Sequence, residues 1–539
     1  MARTKDETIK EITYEYLEKI DPANPPSPKN IQGDILDEVR NAFKLENAVR
    51  DNGDKWKIPD KLSPSQITSI MLKLYDIRCI ACAGDNADTS YDLLAIYQTD
   101  GYNKGIYVTD EKTFHTVARK YNYSLTINDI KEIMAQLKDY AVRVKRCNDR
   151  DLIAVNNGIF NYNTKKLEPF SPDRVFIAKS HVNYNPNAKN IVIHNKSDGT
   201  DWDIESWMKS LSDDDEVVNL LWEIIGAIIR PHVRWNKSAW LYSTKGNNGK
   251  GTLCELMRNI CGDGTYASIP IADFAKDFML EPLTRASAII VDENDVGSFI
   301  DKAANLKAVI TNDVIALNRK FKSPIAYQFF GFMVQCLNEM PRIKDKSDSF
   351  YRRQIFIPFT KCFTGHERKY IKNDYLHRSE VLKYALYKVL NMNYYTLSEP
   401  ETCKNTLEMY KEFNDPVRQF IDEILPECVW DLLPFTFLYD LYKAWFDRNS
   451  PSGSKQGKNT FINDLINALG PDSEWESLNT QTKIWVGHKM DEPEYLILEY
   501  NLKTWENPNY KGTDKSKICK VLPKSHERGL VRKQPKSKS

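Results

Sequence analysis

The stretch that decides the fold is S-A-W-L-Y-S-T-K-G-N-N-G-K-G-T, residues 238–252. Its first five residues predict a buried strand, and the apolar pattern after residue 252 predicts a helix. A glycine-containing loop between strand and helix, with a lysine and a hydroxyl residue, is typical of sites that bind nucleotide phosphates. Lys250 would place a positive charge on the phosphates, and Thr252 would provide a hydroxyl ligand for Mg²⁺. The other candidate nucleotide-binding residues of the loop are Gly246, Asn248, Gly249 and Gly251.

Acidic residues follow the next apolar strand that we predict. Residues 288–291 (A-I-I-V) end in Asp292 and Glu293, 42 residues after Lys250. In a nucleotide hydrolase Asp292 would hold Mg²⁺ through water, and Glu293 would polarise the attacking water. We therefore expect both carboxylates to complete the nucleotide site.

Two further polar groups extend this pattern. A third predicted strand, residues 330–336, leads to Asn338, whose amide can hold the attacking water or sense the γ-phosphate. Arg352 and Arg353 follow, fourteen residues after Asn338. An arginine supplied by a neighbouring subunit stabilises charge on a transferring phosphoryl group. The spacing favours one of the two as such an arginine finger and does not say which.

The order of these motifs (phosphate loop, Asp-Glu, Asn-x-x-Pro and Arg-Arg) resembles the superfamily 3 helicases. In particular it resembles the C-terminal helicase domain of primase-helicases from phages, plasmids, mobile elements and poxviruses. The resemblance extends over residues 150–450 and includes Asn157-Gly158. It implies a modified AAA+ fold that assembles as a ring, usually a hexamer, and moves along DNA using ATP and Mg²⁺. The general loop pattern has glycine at Thr244 and Ser or Thr at Gly251, so Thr252 must reach the magnesium directly or through water.

Basic residues predict where DNA would bind. Two strand-like runs around residues 318–324 (N-R-K-F-K-S-P) predict a β-hairpin with a basic tip. In the resembling family such a hairpin points into the ring channel. Single-stranded DNA is therefore expected to contact the tip residues Arg319, Lys320, Phe321 and Lys322.

A second DNA-binding region is expected near the C-terminus. Predicted helices at 416–424, 436–447 and 459–469, followed by strands at 483–486 and 495–498, give the order of a winged helix-turn-helix. Lys455 and Lys458 would lead into its reading helix and contact duplex DNA at an origin. The last residues, 503–539, hold 11 Lys and Arg against three acidic residues. We expect them to form a mobile tail that binds phosphate non-specifically.

These patterns predict a multidomain α+β chain. It would contain a mixed N-terminal domain, a helical collar, a modified AAA+ α/β ATPase core and a C-terminal winged-helix-like domain. The acidic run at residues 213–216 is interpreted as the cap of a collar helix rather than a metal site. The candidate boundaries are an N-terminal helix and proline-rich linker at 1–30, the mixed domain at 31–200, the collar at 201–235, the core at 236–375, a helical lid or linker at 376–410, the winged helix at 411–502 and the basic tail at 503–539.

Composition limits the class of protein. The 539 residues are 41% hydrophobic and 28% charged, with 75 Lys and Arg against 74 Asp and Glu. This balance favours a soluble globular chain and excludes a chain that binds nucleic acid through overall charge. We expect no membrane segment, no secretory signal and a location in the cytoplasm, most simply that of a bacterial host. Cys79 and Cys82 form a lone CxxC that predicts buried thiols, so no metal is expected beyond the one that accompanies a nucleotide.

The leading prediction is an ATP-dependent DNA helicase that initiates replication of a mobile genetic element or phage. It would act as a homo-oligomer, with a primase or polymerase as a further candidate partner. Two alternatives remain open. Gly-Lys-Gly-Thr at residues 249–252 also resembles the phosphate loop of adenylate kinases, which predicts a nucleotide kinase. The other alternative is an origin-binding protein whose ATP site only switches assembly.

Overall fold

The chain divides after Leu407 into two units, Met1–Leu407 and Glu408–Ser539, in the computed structural model. The structure describes residues 3–83, 88–320, 322–449, 455–469, 473–477 and 481–534, and at position 322 it describes the backbone. Within these ranges, no helix has both the length and the apolar character needed to cross a bilayer.

The first unit begins with helices packed against a small mixed sheet. The strand order is β3-β2-β1-β4, with β1 antiparallel to β2 and parallel to β4. The helices bury an apolar core that includes Ile35, Ile70 and Leu137. The elements are α1 (Lys5–Glu18), α2 (Pro28–Ala48), α3 (Pro64–Leu74), β1 (Ile77–Ile80), β2 (Leu93–Tyr97), β3 (Tyr107–Val108), α4 (Glu111–Arg119), α5 (Ile127–Tyr140) and β4 (Val142–Val144).

Short strands and two helices then lead to the central sheet. They are β5 (Leu152–Val155), β6 (Gly158–Asn161), β7 (Lys166–Glu168), β8 (Ile193–His194), β9 (Asp201–Trp202), α6 (Ile204–Lys209) and α7 (Asp215–Ile228). The side chain of Asp214 accepts hydrogen bonds from the backbone N–H groups of Glu216 at 2.9 Å and Val217 at 3.4 Å. The acidic run therefore caps α7, as the sequence predicts.

The central sheet is parallel throughout, in the order β11-β12-β16-β10-β18. β10 and β12 are strands because their apolar side chains are covered on both faces, as a parallel sheet requires. Parallel strands end at one edge of the sheet, so the loops that follow them meet there. The elements are β10 (Ser238–Tyr242), α8 (Lys250–Cys261), β11 (Tyr266–Ala267), β12 (Ala288–Val291), β13 (Phe299–Ile300), α9 (Ala304–Ile310), β14 (Val314–Arg319), β15 (Lys322–Gln328), β16 (Phe332–Leu337), β17 (Arg342–Ile343), α10 (Asp348–Tyr351) and β18 (Gln354–Pro358).

Two of these pairs stand apart from the central sheet. β14 and β15 form the predicted antiparallel hairpin, with Val314 opposite Gln328 and an irregular register between Leu317 and Arg319. β13 pairs in parallel with β17. The chain continues through α11 (Lys369–Asn373), α12 (Ser379–Asn391) and α13 (Glu401–Phe413), and the boundary between the units falls within α13.

The second unit has an apolar core of its own, built around Phe420, Trp445 and Phe461. Its three longer helices lie where the sequence predicts them. The elements are α14 (Pro416–Ile424), β19 (Leu432–Pro434), α15 (Phe435–Asn449), α16 (Lys458–Ala468), β20 (Trp475–Glu476), β21 (Ile484–Trp485), α17 (Leu496–Glu499), α18 (Lys515–Ile518), β22 (His526–Glu527) and β23 (Gly529–Arg532).

Two predictions for this unit are wrong. Residues 495–498 form most of a helical turn, α17, instead of the second strand of a hairpin, and the strand that pairs with β21 is β22. The basic segment from residue 503 is not a mobile tail over its described part, because β23 is the central strand of a sheet with β19 and β20. Arg532, expected to bind phosphate, is buried in ion pairs with Asp431 at 3.1 Å and Glu474 at 2.7 Å.

Candidate functional site

The loop between β10 and α8 has the backbone of a phosphate-binding turn. Gly249 has φ +89° and Asn247 has φ +52°, which turns the chain sharply into the helix. A Cβ at Gly249 would be strained at this positive φ and would stand 2.7 Å from a methyl group of Leu211, which would have to move. The first N–H groups of α8 have no partner within the helix and carry the positive end of its dipole. This helix start is therefore suited to bind an anion.

Lys250 lies beneath this loop and is buried. Its ammonium donates to the backbone carbonyl of Ser243 at 3.5 Å, and burial lowers its pKa. Among the described residues no carboxylate forms an ion pair with it. The side chain of Asn248, also buried, donates to the carbonyl of Lys245 and so braces the loop from within. The loop thus holds a buried positive charge that lacks a counter-ion.

The predicted acidic and amide residues leave the sheet at the same edge as the loop. β16 lies between β10 and β12, with Tyr242 opposite Leu337 and Val291 opposite Gln335. Asn338 therefore follows β16, which is the neighbour of β10 and its loop. Asp292 and Glu293 follow β12, the next strand in the sheet. All three side chains are exposed at this edge.

The carboxylate of Asp292 is held by an arginine of α8. Arg258 makes two contacts with it, Nη2 to Oδ1 at 2.7 Å and Nη1 to Oδ2 at 3.1 Å, and these hold the pKa of Asp292 below its ordinary value. Arg258 lies eight residues beyond Lys250, about 12 Å farther along the helix. The sequence does not reveal this ion pair, because nothing in the pattern marks Arg258.

Thr252 and Asp292, the residues predicted to bind Mg²⁺, carry hydroxyl and carboxylate oxygens, which are the ligands that this ion prefers. Thr252 is half-buried and lines a cavity beside the loop, whereas Asp292 is paired with Arg258. A Cβ at Gly251 would stand 3.8 Å from the ammonium of Lys372, which also helps to lower the pKa of Asp292. Because two cations already compensate this carboxylate, a magnesium ion here would depend on phosphate oxygens as well as on protein ligands.

Asn294 was not predicted and fixes the geometry of the acidic turn. Its Nδ2 donates at 3.0 Å to the side chain of Gln335 and at 3.0 Å to the carbonyl of Cys336, while its Oδ1 accepts from the N–H of Ile271 at 2.9 Å. Both Asn294 and Gln335 are buried. This network ties the residues after β12 to β16 and so positions Asp292 and Glu293.

Arg352 and Arg353 lie at the opposite edge of the sheet. The carbonyl of Arg353 accepts from the N–H of Ser238 at 2.8 Å, at the start of β10. The length of β10, about 16 Å for five residues, separates this edge from the phosphate loop. The guanidinium of Arg353 donates to the carbonyl and to the hydroxyl of Ser349, whereas Arg352 is exposed at the end of α10. Of the two, Arg352 is therefore the one whose side chain is exposed.

The hairpin of β14 and β15 carries the predicted basic tip. Arg319 donates to the carbonyl of Ser323 at 3.1 Å, and Asn318 donates to Asp277 at 2.8 Å. The backbone N–H of Lys320 lies 3.4 Å from a carboxylate oxygen of Glu281. The predicted contact Phe321 lies outside the described residues, as does the side chain of Lys322.

A residue of the N-terminal part holds the base of this hairpin. Arg146 donates to the hydroxyl of Tyr327 at 3.0 Å and to the carbonyl of Gln328 at 2.6 Å. Its guanidinium also lies over the rings of Tyr327 and Phe330, 5.0 Å from each centroid. In addition, the N–H of Gln328 donates to the carbonyl of Cys82 at 3.1 Å. The N-terminal part and the hairpin are therefore joined directly.

The second unit contains a basic groove of about 680 Å³ between α16 and the pair β21 and β22. Lys458, at the start of α16, lies in its wall. Lys455 instead forms an ion pair with Asp447 at 2.7 Å. The other basic and amide residues of the wall are Lys483, Lys524, Arg528, Asn459, Asn463 and Gln481.

Comparisons with known proteins bear on each part of the chain. Three family models match: one described as D5 N terminal like over residues 34–213, a family of unknown function (DUF5906) over residues 241–353, and one described as Poxvirus D5 protein-like over residues 412–507. No curated protein matches the chain.

Solved structures of the C-terminal region of NrS-1 also match the chain. The A form apo structure is 13% identical, with a TM-score of 0.39, and the match covers 88% of this chain and 100% of that one. A second apo structure is also 13% identical, with a TM-score of 0.40, and covers 79% and 98% respectively. The chain is therefore similar to D5-like proteins in two separate parts, residues 34–213 and residues 412–507.

Proposed function

We propose that this protein is an ATP-dependent DNA helicase that works as a ring and initiates replication of a mobile genetic element or phage. The observation that carries the proposal is Lys250, which is buried at the start of α8 under a glycine loop without a paired carboxylate among the described residues. A buried charge without a counter-ion is costly. The phosphate chain of ATP, bound at the helix start, would supply that counter-ion.

The residues at the edge of the sheet support hydrolysis of the bound nucleotide. Glu293 is exposed beside the loop and would take a proton from the attacking water, which the amide of Asn338 would hold in place. Asp292 would turn from Arg258 towards the phosphates when the nucleotide binds. Mg²⁺, bound with the nucleotide and assisted by Thr252, would neutralise charge on the phosphate oxygens.

The positions of the two arginines support action between subunits. Arg352 lies at the edge of the sheet opposite to the loop of its own chain, so it would reach the phosphates of a second copy. An interface that joins opposite edges of identical molecules is heterologous, and such an interface forms a ring when the rotation between neighbouring subunits closes. We propose Arg352 as the arginine finger and a hexamer as the ring. Arg353 would position the turn that carries Arg352, through its hydrogen bonds to Ser349.

Two basic surfaces support DNA binding at different steps. The hairpin tip, with Arg319 and Lys320, would contact single-stranded DNA in the channel of the ring. The groove of the second unit, with Lys458 in its wall, would bind duplex DNA at the origin. A primase or polymerase would then act on the separated strands.

The proposal is tested by Lys250→Ala with Lys245→Ala as the matched control, since Lys245 lies in the same loop and is exposed. Lys250→Ala should abolish both DNA-stimulated ATP hydrolysis and strand separation, and the control should keep them. Unwinding by Lys250→Ala would refute the motor. Phosphoryl transfer to AMP without DNA would show a kinase instead, and ATP-dependent assembly without hydrolysis would show an origin-binding switch.

A further inference from the structure

A cavity of about 610 Å³ opens beside the phosphate loop. One wall is formed by residues 201–210, which include β9 and α6, and the other by residues 363–373, which include α11. Asn247, Gly249 and Thr252 of the phosphate loop and α8 form the part of the lining between these walls. The cavity is thus continuous with the site that we propose for the phosphates.

Several contacts fix the walls of the cavity to the loop. The N–H of Phe363 donates to the carbonyl of Asn247 at 2.8 Å, and the side chain of Asn247 donates to Glu367 at 3.0 Å. On the other side, Leu211 packs so closely on Gly249 that a Cβ there would stand 2.7 Å from its methyl group. A ligand that bridges the loop and the cavity would therefore contact an existing surface.

The lining has the chemistry of a nucleoside site. Trp202, Trp207 and Phe363 present aromatic surface, which stacks on bases and ribose at low entropic cost. Trp202 is 4% exposed, and its indole N–H has no acceptor among the described residues. The rest of the lining is largely polar or charged, and a cavity of this size is typical of small-molecule sites.

Lys372 lies where the cavity meets the start of α8. Its ammonium would be 3.8 Å from a Cβ at Gly251, so Lys372 lies close to the residue that follows Lys250. A second lysine at this point would lie close to phosphates bound at the start of α8.

We propose that this cavity binds the base and ribose of the nucleoside triphosphate, and that Lys372 makes a second contact with its phosphates. The proposal rests on the proposed function, because the phosphates must occupy the loop of Lys250. It assigns recognition of the nucleoside to residues 201–210 and 363–373, which lie on either side of the loop in the sequence.

The test is Ser206→Trp, which fills the cavity from the exposed face of α6. ATP and inorganic tripolyphosphate are titrated by calorimetry into the full-length protein and the variant. The variant should lose more than about tenfold in affinity for ATP and keep its affinity for tripolyphosphate. Lys209→Trp is the matched control, because Lys209 lies on the same helix and lines a different groove, and it should bind ATP like the unchanged protein.

Unchanged ATP affinity in Ser206→Trp, or an equal loss for both ligands, would overturn the proposal. If the unchanged protein binds neither ligand, the proposed function itself fails. Should Ser206→Trp not fold, tryptophan emission of the unchanged protein decides the question. ATP should change that emission through Trp202 and Trp207 whereas tripolyphosphate should not, and equal responses to both would refute the nucleoside site.

Discussion

Arg146→Ala should loosen the hairpin of β14 and β15 although Arg146 lies outside it in sequence. The substitution removes hydrogen bonds to the Tyr327 hydroxyl at 3.0 Å and to the Gln328 carbonyl at 2.6 Å, and two contacts with aromatic rings. Tyr327 is buried, so its hydroxyl would be left without this donor inside the protein. The loss falls at the base of the hairpin, where the N-terminal part is joined to it.

The size of the effect follows from these contacts. Hydrogen bonds from a charged group contribute about 1.5–3 kcal/mol each, and exposed cation–π contacts about 0.5–1 kcal/mol. Because the contacts of one side chain are not additive, we expect Arg146→Ala to lower the free energy needed to open the hairpin base by about 3 kcal/mol. Since 1.36 kcal/mol corresponds to a factor of ten, amide hydrogens there should exchange about 100-fold faster.

The assay is hydrogen exchange read by mass spectrometry on peptides that cover residues 314–328. Arg150→Ala is the control, because Arg150 lies in the same segment and packs over Tyr395, 4.4 Å from the ring centroid, away from the hairpin. If the hairpin moves DNA, Arg146→Ala should also weaken DNA-stimulated ATP hydrolysis while ATP affinity is retained. Exchange rates within about threefold of the unchanged protein would refute the coupling.

Two further predictions concern pH and DNA. Burial lowers the pKa of His181, stacked on Tyr102, from 6.5 to about 4, so the unfolded chain binds more protons below pH 6.5. The contribution of neutral His181 to stability should be fully present above pH 6.5 and should decrease as the pH drops towards 4. The Tm should therefore fall less in His181→Phe than in the unchanged protein over this range, and equal falls would contradict the prediction. Lys458→Glu should weaken duplex binding and reduce the salt slope by about one. Lys443→Glu, on α15, should change neither the affinity for duplex DNA nor its salt slope. An equal effect of both variants would show that the groove is not the DNA-binding site.

Apolar runs were sufficient to predict the two strands that lead into the candidate site. The strands at 238–242 and 288–291 are buried on both faces, so their sequences are almost wholly apolar and mark them clearly. Residues 495–498 are equally apolar and form a helical turn, because so short a run does not distinguish a strand from a buried helix. β23 was missed because its short apolar run lies within basic sequence, and its pairing with β19 is a long-range contact.

The missing parts of the site arise from tertiary contacts. The partner of Asp292 is Arg258, thirty-four residues earlier, and no local pattern indicates that pair. The cavity beside the loop is built from segments about 160 residues apart, 201–210 and 363–373, whose aromatic and basic residues resemble ordinary core and surface when each is considered alone. A sequence motif identifies the candidate phosphate loop, whereas the groups that surround it appear only in the fold.

The central claim is that a nucleotide is hydrolysed between two copies of this chain, with Lys250 from one and Arg352 from the other. It is tested by mixing Lys250→Ala and Arg352→Ala proteins in equal amounts and measuring DNA-stimulated ATP hydrolysis. Each variant alone should be inactive. The mixture should recover about a quarter of the activity of the unchanged protein, because random assembly pairs an intact loop with an intact arginine at one interface in four. No recovery in rings that native mass spectrometry shows to be mixed, or full activity of Arg352→Ala alone, would contradict the claim.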